Sequence, residues 1–317
     1  MNVMQAKTFL ELLAARNFNK AAERLCVTQS CVTLRIKSLE QILGQRLFIR
    51  TKSGVELTVA GRRLQPFAES LVQVWQQARK ELALPPDVTT MLSVGCDPGV
   101  WHGYIGNWLQ ALRADQASVA LEVEVRHSTY LMERLAQGLL HAAVVYEPHL
   151  HHGMVVEPLF EDKLILVTRE PRERARWHPR YVLVQWTAEF RAQHDAVMPV
   201  DITPPVVFAD GVFALDFILR SGGSGYFPLR MIIDHLRRRE LFYVGATRAM
   251  NCKVHLAYSE PLLSQPWFRQ ARARLLSMCE DQRALIRDHI DNGAIEQWTG
   301  LRKKAGTDKF ASVEYHP

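Results

Sequence analysis

The N-terminal part of the chain shows the hydrophobic pattern of three short helices. Apolar residues fall on one face between Met4 and Arg16, which predicts a first helix. A second helix is predicted over 20–25, with Asn19 as the residue that caps its start. A third helix is predicted over 29–43. Its apolar residues recur at helical spacing and form a stripe that we expect to be buried, namely Val32, Ile36, Leu39 and Leu43. The pattern therefore predicts a compact helical module at the start of the chain.

A β-hairpin is predicted after these helices, because two short apolar runs, 47–50 and 55–58, are joined by a polar turn. The third helix directs short polar and basic side chains away from its buried stripe. A helix of this kind, set after a tight turn, suits the major groove of DNA. The hairpin would then act as a wing that brings Arg50 and Lys52 to the phosphates. We therefore expect residues 1–58 to form a winged helix-turn-helix domain.

The charge distribution supports a polyanion partner for this segment alone. Residues 1–83 carry 13 Lys and Arg residues against 6 Asp and Glu residues, whereas the rest of the chain carries 26 against 27. The formal net charge of the whole chain is +6, so the positive excess lies in its first quarter. A general role in solubility would not require this asymmetry, and a local basic excess indicates nucleic acid.

A series of motifs at fixed spacing resembles the LysR-type transcriptional regulators. The matching stretches are Ala21-Ala22-Glu23-Arg24-Leu25, Thr28-Gln29-Ser30-Cys31-Val32-Thr33, Ile36-Lys37-Ser38-Leu39-Glu40, Leu43-Gly44, Leu47-Phe48-Ile49-Arg50 and Leu57-Thr58-Val59-Ala60-Gly61. So many agreeing spacings are more specific than one short motif. The resemblance implies a bacterial transcription regulator that reads double-stranded DNA with its first domain, senses a small ligand with the rest, and forms homodimers or homotetramers.

The resemblance also implies which residues contact DNA. In the family, the residues that match Gln29, Ser30, Thr33 and Arg35 approach bases or nearby phosphates. The residue that matches Arg50 contacts the DNA backbone from the wing. Leu34 departs from the family, in which many members have a basic or polar residue, and this leaves contact with a thymine methyl group as the alternative. The expected DNA-contacting set is Gln29, Ser30, Thr33, Leu34, Arg35, Lys37, Arg50 and Lys52. Each residue alone could be an ordinary surface residue, and it is the spaced set that favours DNA.

A long helix is predicted from the cap Thr58 to about Leu82, within a linker region that covers 59–87 and has its hinge at Pro85-Pro86. Its apolar residues recur with heptad spacing and form a seam of Leu64, Ala68, Leu71, Trp75, Ala78 and Leu82. Packing of this helix on its own domain is the alternative. In the family that the chain resembles, however, the corresponding helix is the antiparallel dimer helix. Pro66 lies inside it and should bend it or reduce its stability.

Residues 88–292 alternate strands and helices in the pattern of a doubly wound α/β domain. Helices are predicted over 100–113, 130–139, 212–220 and 267–290. The segment resembles the family's effector domain, two lobes like those of periplasmic binding proteins joined by crossing strands, here near 160–164 and 256–261. The predicted lobes are about 88–161 with 260–292 for lobe I and about 162–259 for lobe II. We expect the basic tail 293–317, which has few core-forming positions, to be disordered.

An effector site is predicted where strand ends meet helix starts in these lobes. The expected effector-binding residues are Cys96, Asp97, Trp101, Ser128, Thr129, Gln185, Trp186, Tyr226 and Phe227. Ser128 and Thr129, at a helix start, suit a carboxylate or similar anion, and ordinary N-capping is an equally open interpretation. Cys96 is expected to be a small buried thiol rather than a redox sensor. Within the family, the chain most resembles a subgroup that includes a repressor of flagellar genes. The residues that carry this resemblance are Gly99-Val100-Trp101, Gln185-Trp186 with Phe190 and His194, and Tyr226-Phe227-Pro228.

Other classes of function find less support in the sequence. No apolar run is long enough to span a membrane and 1–16 lacks the features of a signal peptide, so we expect a cytoplasmic protein. The five cysteines form no metal-type pairs and are expected to stay reduced. The glycine-rich segment 220–225 is neither a phosphate loop nor a nucleophile elbow, and His149, His151 and His152 suit a solvated loop better than a metal site. We therefore expect no catalytic residue, cofactor or metal, and the alternative is an α/β enzyme with an appended DNA-binding domain.

Overall fold

A computed structural model describes residues 1–51, 54–171, 179–197, 203–245 and 247–299. The chain divides into two compact units, of which the first comprises 1–93, 117–122 and 133–141 and the second comprises 94–116, 123–132 and the chain from residue 142 onward. The domain boundaries expected from the sequence stay predictions. The ordered part of the chain extends past residue 292, because Ala294–Trp298 forms a 3-10 turn in which Ile295 is buried. Disorder therefore does not begin at 293 as expected, and 300–317 lie outside the described residues.

The first unit begins with the three predicted helices. Their bounds are Val3–Ala15 for α1, Phe18–Arg24 for α2 and Gln29–Leu43 for α3. The cap of α2 is Asn17 and not the predicted Asn19, because the Asn17 side chain accepts hydrogen bonds from the backbone N–H groups of residues 19 and 20. Thr28 caps α3 by accepting from the N–H of Cys31, and Gly44 ends the helix in the left-handed conformation. These caps fix where the helix predicted to enter DNA begins and ends.

The hairpin and the long helix follow. Their bounds are Phe48–Thr51 for β1, Gly54–Leu57 for β2 and Val59–Leu82 for α4. Thr58 caps α4 as predicted, and the helix continues through Pro66. A Cβ atom at Gly61 would lie 2.3 Å from the carbonyl oxygen of Leu47. A glycine is therefore required where the first turn of α4 approaches the hairpin.

A seven-stranded sheet organises the α/β part of the chain. Its strands are Thr90–Cys96 for β3, Val119–Val125 for β4, Ala142–Val145 for β5, Met154–Thr168 for β6, Ser224–Pro228 for β9, Phe242–Tyr243 for β10 and Met250–Ser259 for β11. The order is β10-β6-β11-β5-β3-β4, and β9 also pairs with β6. A separate parallel pair consists of Val182–Val184 for β7 and Val206–Phe208 for β8. The main sheet is mixed, because β3 and β5 are parallel whereas β11 is antiparallel to β5 and β6.

Two long strands, β6 and β11, connect the two halves of this sheet. They pair antiparallel along their length, with an irregularity between Val254 and His255. At its later end β6 pairs with β9 and β10, whereas β11 pairs with β5. The predicted crossing segment 160–164 lies within β6, and 256–261 begins within β11. These strands are the connection between lobes that the sequence indicated.

Helices surround the strands of the α/β part. Their bounds are Pro98–Val100 for α5, Gly106–Asp115 for α6, Ser128–Ala136 for α7, Ala188–Asp195 for α8, Gly211–Ser221 for α9, Leu229–Arg237 for α10 and Pro266–Ile286 for α11. The predicted helix 100–113 is wrong in its first half, because His102 (ψ 131°) and Gly103 (φ 73°) leave the helical conformation. The predicted helix 267–290 is too long, because a π-type turn, Arg287–Asp291, replaces its last residues.

Candidate DNA-binding surface and effector cleft

One face of α3 gathers most of the predicted DNA-contacting residues. Gln29, Ser30, Leu34 and Lys37 are exposed, and Thr33 is half-buried beside them. The hydroxyl of Thr33 donates to the carbonyl oxygen of Gln29 at 3.0 Å. Leu34 is 69% exposed, an unusual environment for a leucine that fits apolar contact with a thymine methyl group. This face can present both polar and apolar groups to base edges.

The other predicted DNA-contacting residues lie elsewhere. Arg35 is half-buried on the side of α3 that faces α1, and its guanidinium donates to the hydroxyl of Thr8 at 3.3 Å. This bond joins α3 to α1. Arg35 could also contact a phosphate at the edge of the exposed face of α3. The backbone of Arg50 belongs to β1, but its side chain and Lys52 lie outside the described residues.

The position of α3 is fixed by a core on one side and by a carboxylate on the other. Its buried residues are Val32, Ile36 and Leu39. Glu40 Oε1 accepts hydrogen bonds from the backbone N–H groups of Leu47 at 2.7 Å and Phe48 at 3.3 Å. The hairpin is therefore tied directly to the helix, so the two elements present a single surface.

The seam predicted on α4 is divided between two environments. Ala68 is completely buried in the core of the first unit, and Leu64 and Leu71 pack against the same core. This part of α4 packs on α1. The expectation that the whole seam needs a partner chain is therefore wrong for its first half, because the helical module already covers these side chains.

The rest of α4 presents apolar side chains to solvent. We call this the exposed α4 stripe, and it consists of Phe67, Val74, Trp75, Ala78 and Leu82. Trp75 is 48% exposed and Leu82 is 89% exposed. Phe67 and Val74, which the heptad pattern did not include, are exposed as well. Large apolar side chains that share one helix face in solvent indicate an interaction surface.

A cleft of about 410 Å³, which we call the effector cleft, lies in the second unit. The predicted effector-binding residues that line it are Asp97, Ser128, Thr129, Gln185 and Trp186. The lining residues that the prediction did not include are His127, Glu147, Leu183, Val184, Thr187, Ala188, Phe190, Arg191 and Ala209. The volume and the mixture of aromatic, hydroxyl and charged groups are typical of a site for a small molecule.

The remaining predicted effector residues do not line the cleft. Tyr226 and Phe227 are buried on β9 behind Trp186, whose indole N–H donates to the Tyr226 carbonyl oxygen at 2.9 Å. Cys96 is completely buried, and burial raises its pKa to about 12. It therefore stays a thiol, which fits the buried-thiol interpretation. Trp101 is half-buried in the irregular segment between α5 and α6.

The indole of Trp186 is packed closely against two glycines. A Cβ atom at Gly211 would lie 1.9 Å from the indole ring, and one at Gly99 would lie 2.7 Å from it. Tyr146 meets the ring edge to face, with 6.5 Å between centroids. Trp186 is 8% exposed, so only a small part of the ring faces the cleft. The two glycines are therefore required by the tryptophan that forms one wall of the site.

Carboxylates of the chain occupy both helix starts at the effector cleft. Asp97 Oδ2 accepts from the backbone N–H and the hydroxyl of Ser128 at 3.2 and 3.0 Å, and its Oδ1 accepts from the N–H of Gly99 at 3.3 Å. Glu147 Oε1 accepts from the N–H of Ala188, the first residue of α8, at 2.6 Å. Burial raises the pKa of Asp97, and the bonds from Ser128 partly offset this effect. The donors of Ser128 thus serve an internal carboxylate.

A buried ion pair joins several segments that surround the cleft. Arg230, at the start of α10, donates to the two carboxylate oxygens of Asp162 at 3.0 and 2.8 Å and to the hydroxyl of Tyr146 at 3.0 Å. It also donates to the carbonyl oxygens of Gly99 and His102. Burial alone would lower the pKa of Arg230, but Asp162 and Tyr146 raise it, so the guanidinium stays charged. One side chain therefore holds β6, the end of β5 and the segment around α5 together.

Sequence reasoning missed two charged residues of this region for different reasons. Glu147 follows β5 as Asp97 follows β3, and since these neighbouring strands are parallel, their ends meet at one edge of the sheet. That signal could have found Glu147. Arg230 lies in an ordinary amphipathic helix, and its partner Asp162 is 68 positions away in the sequence. No local pattern marks such a pair.

Metal sites and membrane-spanning helices are absent from the described residues. There, no group of three His, Cys, Asp or Glu residues is arranged to hold a metal ion. His149, His151 and His152 are exposed. No helix in the described ranges combines the length and the apolar character needed to cross a bilayer.

Comparison with protein families gives two matches. The family described as bacterial regulatory helix-turn-helix protein, lysR family, matches residues 3–62, and the family described as LysR substrate binding domain matches residues 87–280. A curated relative, the HTH-type transcriptional regulator HdfR of Yersinia enterocolitica, is 31% identical over 240 residues, which cover 72% of this chain and 81% of that protein. HdfR of Yersinia pestis strain Pestoides F is 30% identical over 239 residues, with the same coverage. These relatives agree with the subgroup that the sequence resembles.

Solved structures of low sequence identity share the fold. CbnR, a LysR family transcriptional regulator, matches with a TM-score of 0.64 and 17% identity, over 89% of this chain and 99% of that one. Full-length CbnR complexed with its target DNA matches with a TM-score of 0.63 and 20% identity, over 89% and 100% of the two chains. ArgP from Mycobacterium tuberculosis matches with a TM-score of 0.55 and 21% identity, over 88% and 97%. They confirm the predicted fold, a helix-turn-helix domain joined to a two-lobed α/β domain.

Proposed function

Because this chain belongs to the LysR family of bacterial regulators, a family of DNA-binding transcription regulators with an effector-binding domain, we propose that it reads specific DNA sites with α3 and changes this reading when a small molecule fills the effector cleft. The observation that carries the proposal is the exposed face of α3, which is capped by Thr28 and tied to the hairpin by Glu40. The relatives are regulators and not enzymes, so the alternative of an α/β enzyme is not retained.

The proposed division of labour follows the family matches. Residues 1–58 bind DNA, 59–87 form the linker helix and hinge, and 88–292 bind the effector. CbnR has been solved with its target DNA, and by analogy α3 of this chain would lie in a major groove while the hairpin contacts phosphates. Since its target is chromosomal DNA, the protein would work in the cytoplasm.

The exposed α4 stripe is proposed to pair with the same stripe of a second copy. Two-fold pairing is the commonest closed solution for a surface of this kind, and pairs of dimers would give the tetramer. Pairing would set two α3 helices at a fixed distance. The operator should therefore be an interrupted inverted repeat, with half-sites a helical turn or more apart.

The proposal is tested by selecting bound fragments from genomic DNA with the purified full-length chain. We expect the recovered fragments to share an interrupted inverted repeat. Gln29→Ala should weaken the preference for this repeat by about 1–3 kcal/mol, because it removes a group that faces the bases. Gln137→Ala, which changes an exposed glutamine after α7, is the matched control and should leave the preference unchanged. Fragments without a common motif would contradict the proposal.

A further inference from the structure

This inference rests on the proposed function of the effector cleft. The charged residues of the cleft also indicate what kind of molecule it binds. We propose that the effector is a small organic cation, with an ammonium or guanidinium group that lies against the carboxylate of Glu147 and the side-chain oxygens of Asp97. This differs from the anion expected from the sequence. The expectation depended on hydrogen-bond donors of Ser128 and Thr129 at the start of α7, and the structure shows that those of Ser128 bind Asp97.

An anionic ligand meets two obstacles at this site. The N–H and hydroxyl of Ser128 already donate to Asp97, and the first N–H of α8 already donates to Glu147. A helix start attracts an anion through such N–H groups, so here the chain supplies the anion itself. A ligand carboxylate in the same cleft would lie near the carboxylate of Glu147, and the repulsion between like charges is unfavourable.

Ser128 connects the two segments that carry the acidic residues of the cleft. The hydroxyl of Ser128 donates to Asp97 Oδ2 at 3.0 Å and accepts from the backbone N–H of Glu147 at 3.3 Å. One side chain thus links both acidic residues. The Glu147 carboxylate is held separately by the N–H of Ala188 at 2.6 Å, so a cation need not order either acidic side chain when it binds.

Two basic residues, Arg191 and His127, also line the cleft. Arg191 lines the cleft, but its Nε donates to Asp195 at 2.8 Å, one turn later on α8. His127 is exposed at the rim. Trp186 adds apolar surface to one wall of the cleft. The volume of about 410 Å³ limits the ligand to a small molecule.

The test compares probes of similar shape and opposite charge on the full-length chain. The cations are 1,4-diaminobutane, agmatine and tryptamine, and the matched anions are succinate, glutarate and indole-3-acetate, all at constant ionic strength. We expect at least one cation, and none of the anions, to raise the thermal unfolding temperature. For that cation, calorimetry gives the Kd for the wild type and for two variants.

The decisive variant is Glu147→Gln. Its amide oxygen can still accept from Ala188 N–H, so this hydrogen bond at the start of α8 is kept while the charge is lost. Loss of a charge-assisted hydrogen bond should raise the Kd about tenfold or more. The matched control is Glu189→Gln, which removes an exposed charge from the first turn of the same helix and should leave the Kd unchanged.

Three results would overturn the proposal: stabilisation by the anions, no response to any of the cations, or equal Kd values for the wild type and Glu147→Gln. Each is distinguishable from failure of the proposed function, because selective DNA binding is measured on the same preparation without any probe. If that binding is selective while the cations fail, the regulator function stands and only the ligand class is wrong.

Discussion

A single large side chain, Trp186, determines which residues are allowed at two distant positions. Replacing Gly by Ala at the start of a helix ordinarily stabilises it. At Gly211, however, the new methyl group would lie 1.9 Å from the indole, and the ring has little room because Gly99 packs against it as well. Packing against the indole should therefore override the helix preference at this position.

We predict that Gly211→Ala lowers the free energy of unfolding by about 1–3 kcal/mol, as is usual when a packed core is overfilled. The measurement is denaturant unfolding of the full-length chain. Gly245→Ala is the control, because the nearest atom to its new Cβ would be 3.5 Å away. Equal unfolding free energies for the two variants would contradict the close packing of Trp186 against Gly211.

The buried and exposed arginines of the chain should differ strongly in their contribution to stability. Arg230→Met leaves Asp162 buried without its partner, and such a loss costs about 3–5 kcal/mol of unfolding free energy. Arg220→Met breaks an exposed pair with Asp216 and should cost at most about 1 kcal/mol. Adding Asp162→Leu to Arg230→Met should recover part of the loss. A similar small effect for both arginines would contradict the buried network.

Acid should destabilise the fold because it protonates buried neutral histidines. Among the described histidines, His194 is the least exposed. Burial lowers its pKa below the ordinary 6.5, and its ring nitrogens contact the Tyr181 hydroxyl and Asp195. The unfolded chain therefore binds more protons than the folded chain below about pH 6.5, so the stabilisation is present above that pH and is lost as pH falls. We predict that His194→Gln has a shallower loss of stability between pH 7 and pH 5. His151→Gln, at an exposed position, should keep the wild-type slope, and equal slopes for all three proteins would refute the assignment.

At the scale of elements, the sequence predicts best where local signals agree. The bounds of α3 and the start of α4 follow from caps at Thr28 and Thr58 and from regular apolar spacing. Asn17 and Asn19 are both suitable caps for α2, and only the path of the chain decides between them. The break at Gly103 depends on packing against Arg230, a contact that no local pattern contains. The candidate site was also predictable only in part. The end of β3 indicated Asp97, whereas the hydrogen bonds of Asp97 to Ser128 and of Glu147 to Ala188 join residues that are far apart in the sequence.

The exposed α4 stripe carries the prediction that belongs to this scale. Trp75→Ala should weaken self-association of the full-length chain by about 2 kcal/mol or more, roughly thirtyfold in Kd, because it removes the largest side chain of the stripe. Sedimentation at several concentrations measures this. Leu150→Ala, which truncates an apolar side chain that is 74% exposed elsewhere, is the control. A wild-type chain that stays monomeric, or a Trp75→Ala variant that associates equally well, would show that the stripe has another purpose.

At the scale of the whole molecule, charge and architecture separate two tasks. The basic excess lies in residues 1–83, which include α3 and the hairpin, whereas the nearly neutral remainder forms the effector cleft. Binding to DNA should therefore have a strong electrostatic component, which salt weakens, and a sequence-dependent component, which comes from α3.

The most direct test of the account is the affinity for a selected operator and for an unrelated duplex of equal length, measured by fluorescence anisotropy over a series of salt concentrations. We predict a steep fall of affinity with salt for both duplexes, and a ratio of about a thousandfold or more in favour of the operator. Arg50→Ala should reduce the slope of log K against log salt by about one, whereas Arg220→Ala should not change it. Equal affinity for the two duplexes, or affinity that does not respond to salt, would contradict the claim that this protein is a sequence-specific DNA-binding regulator.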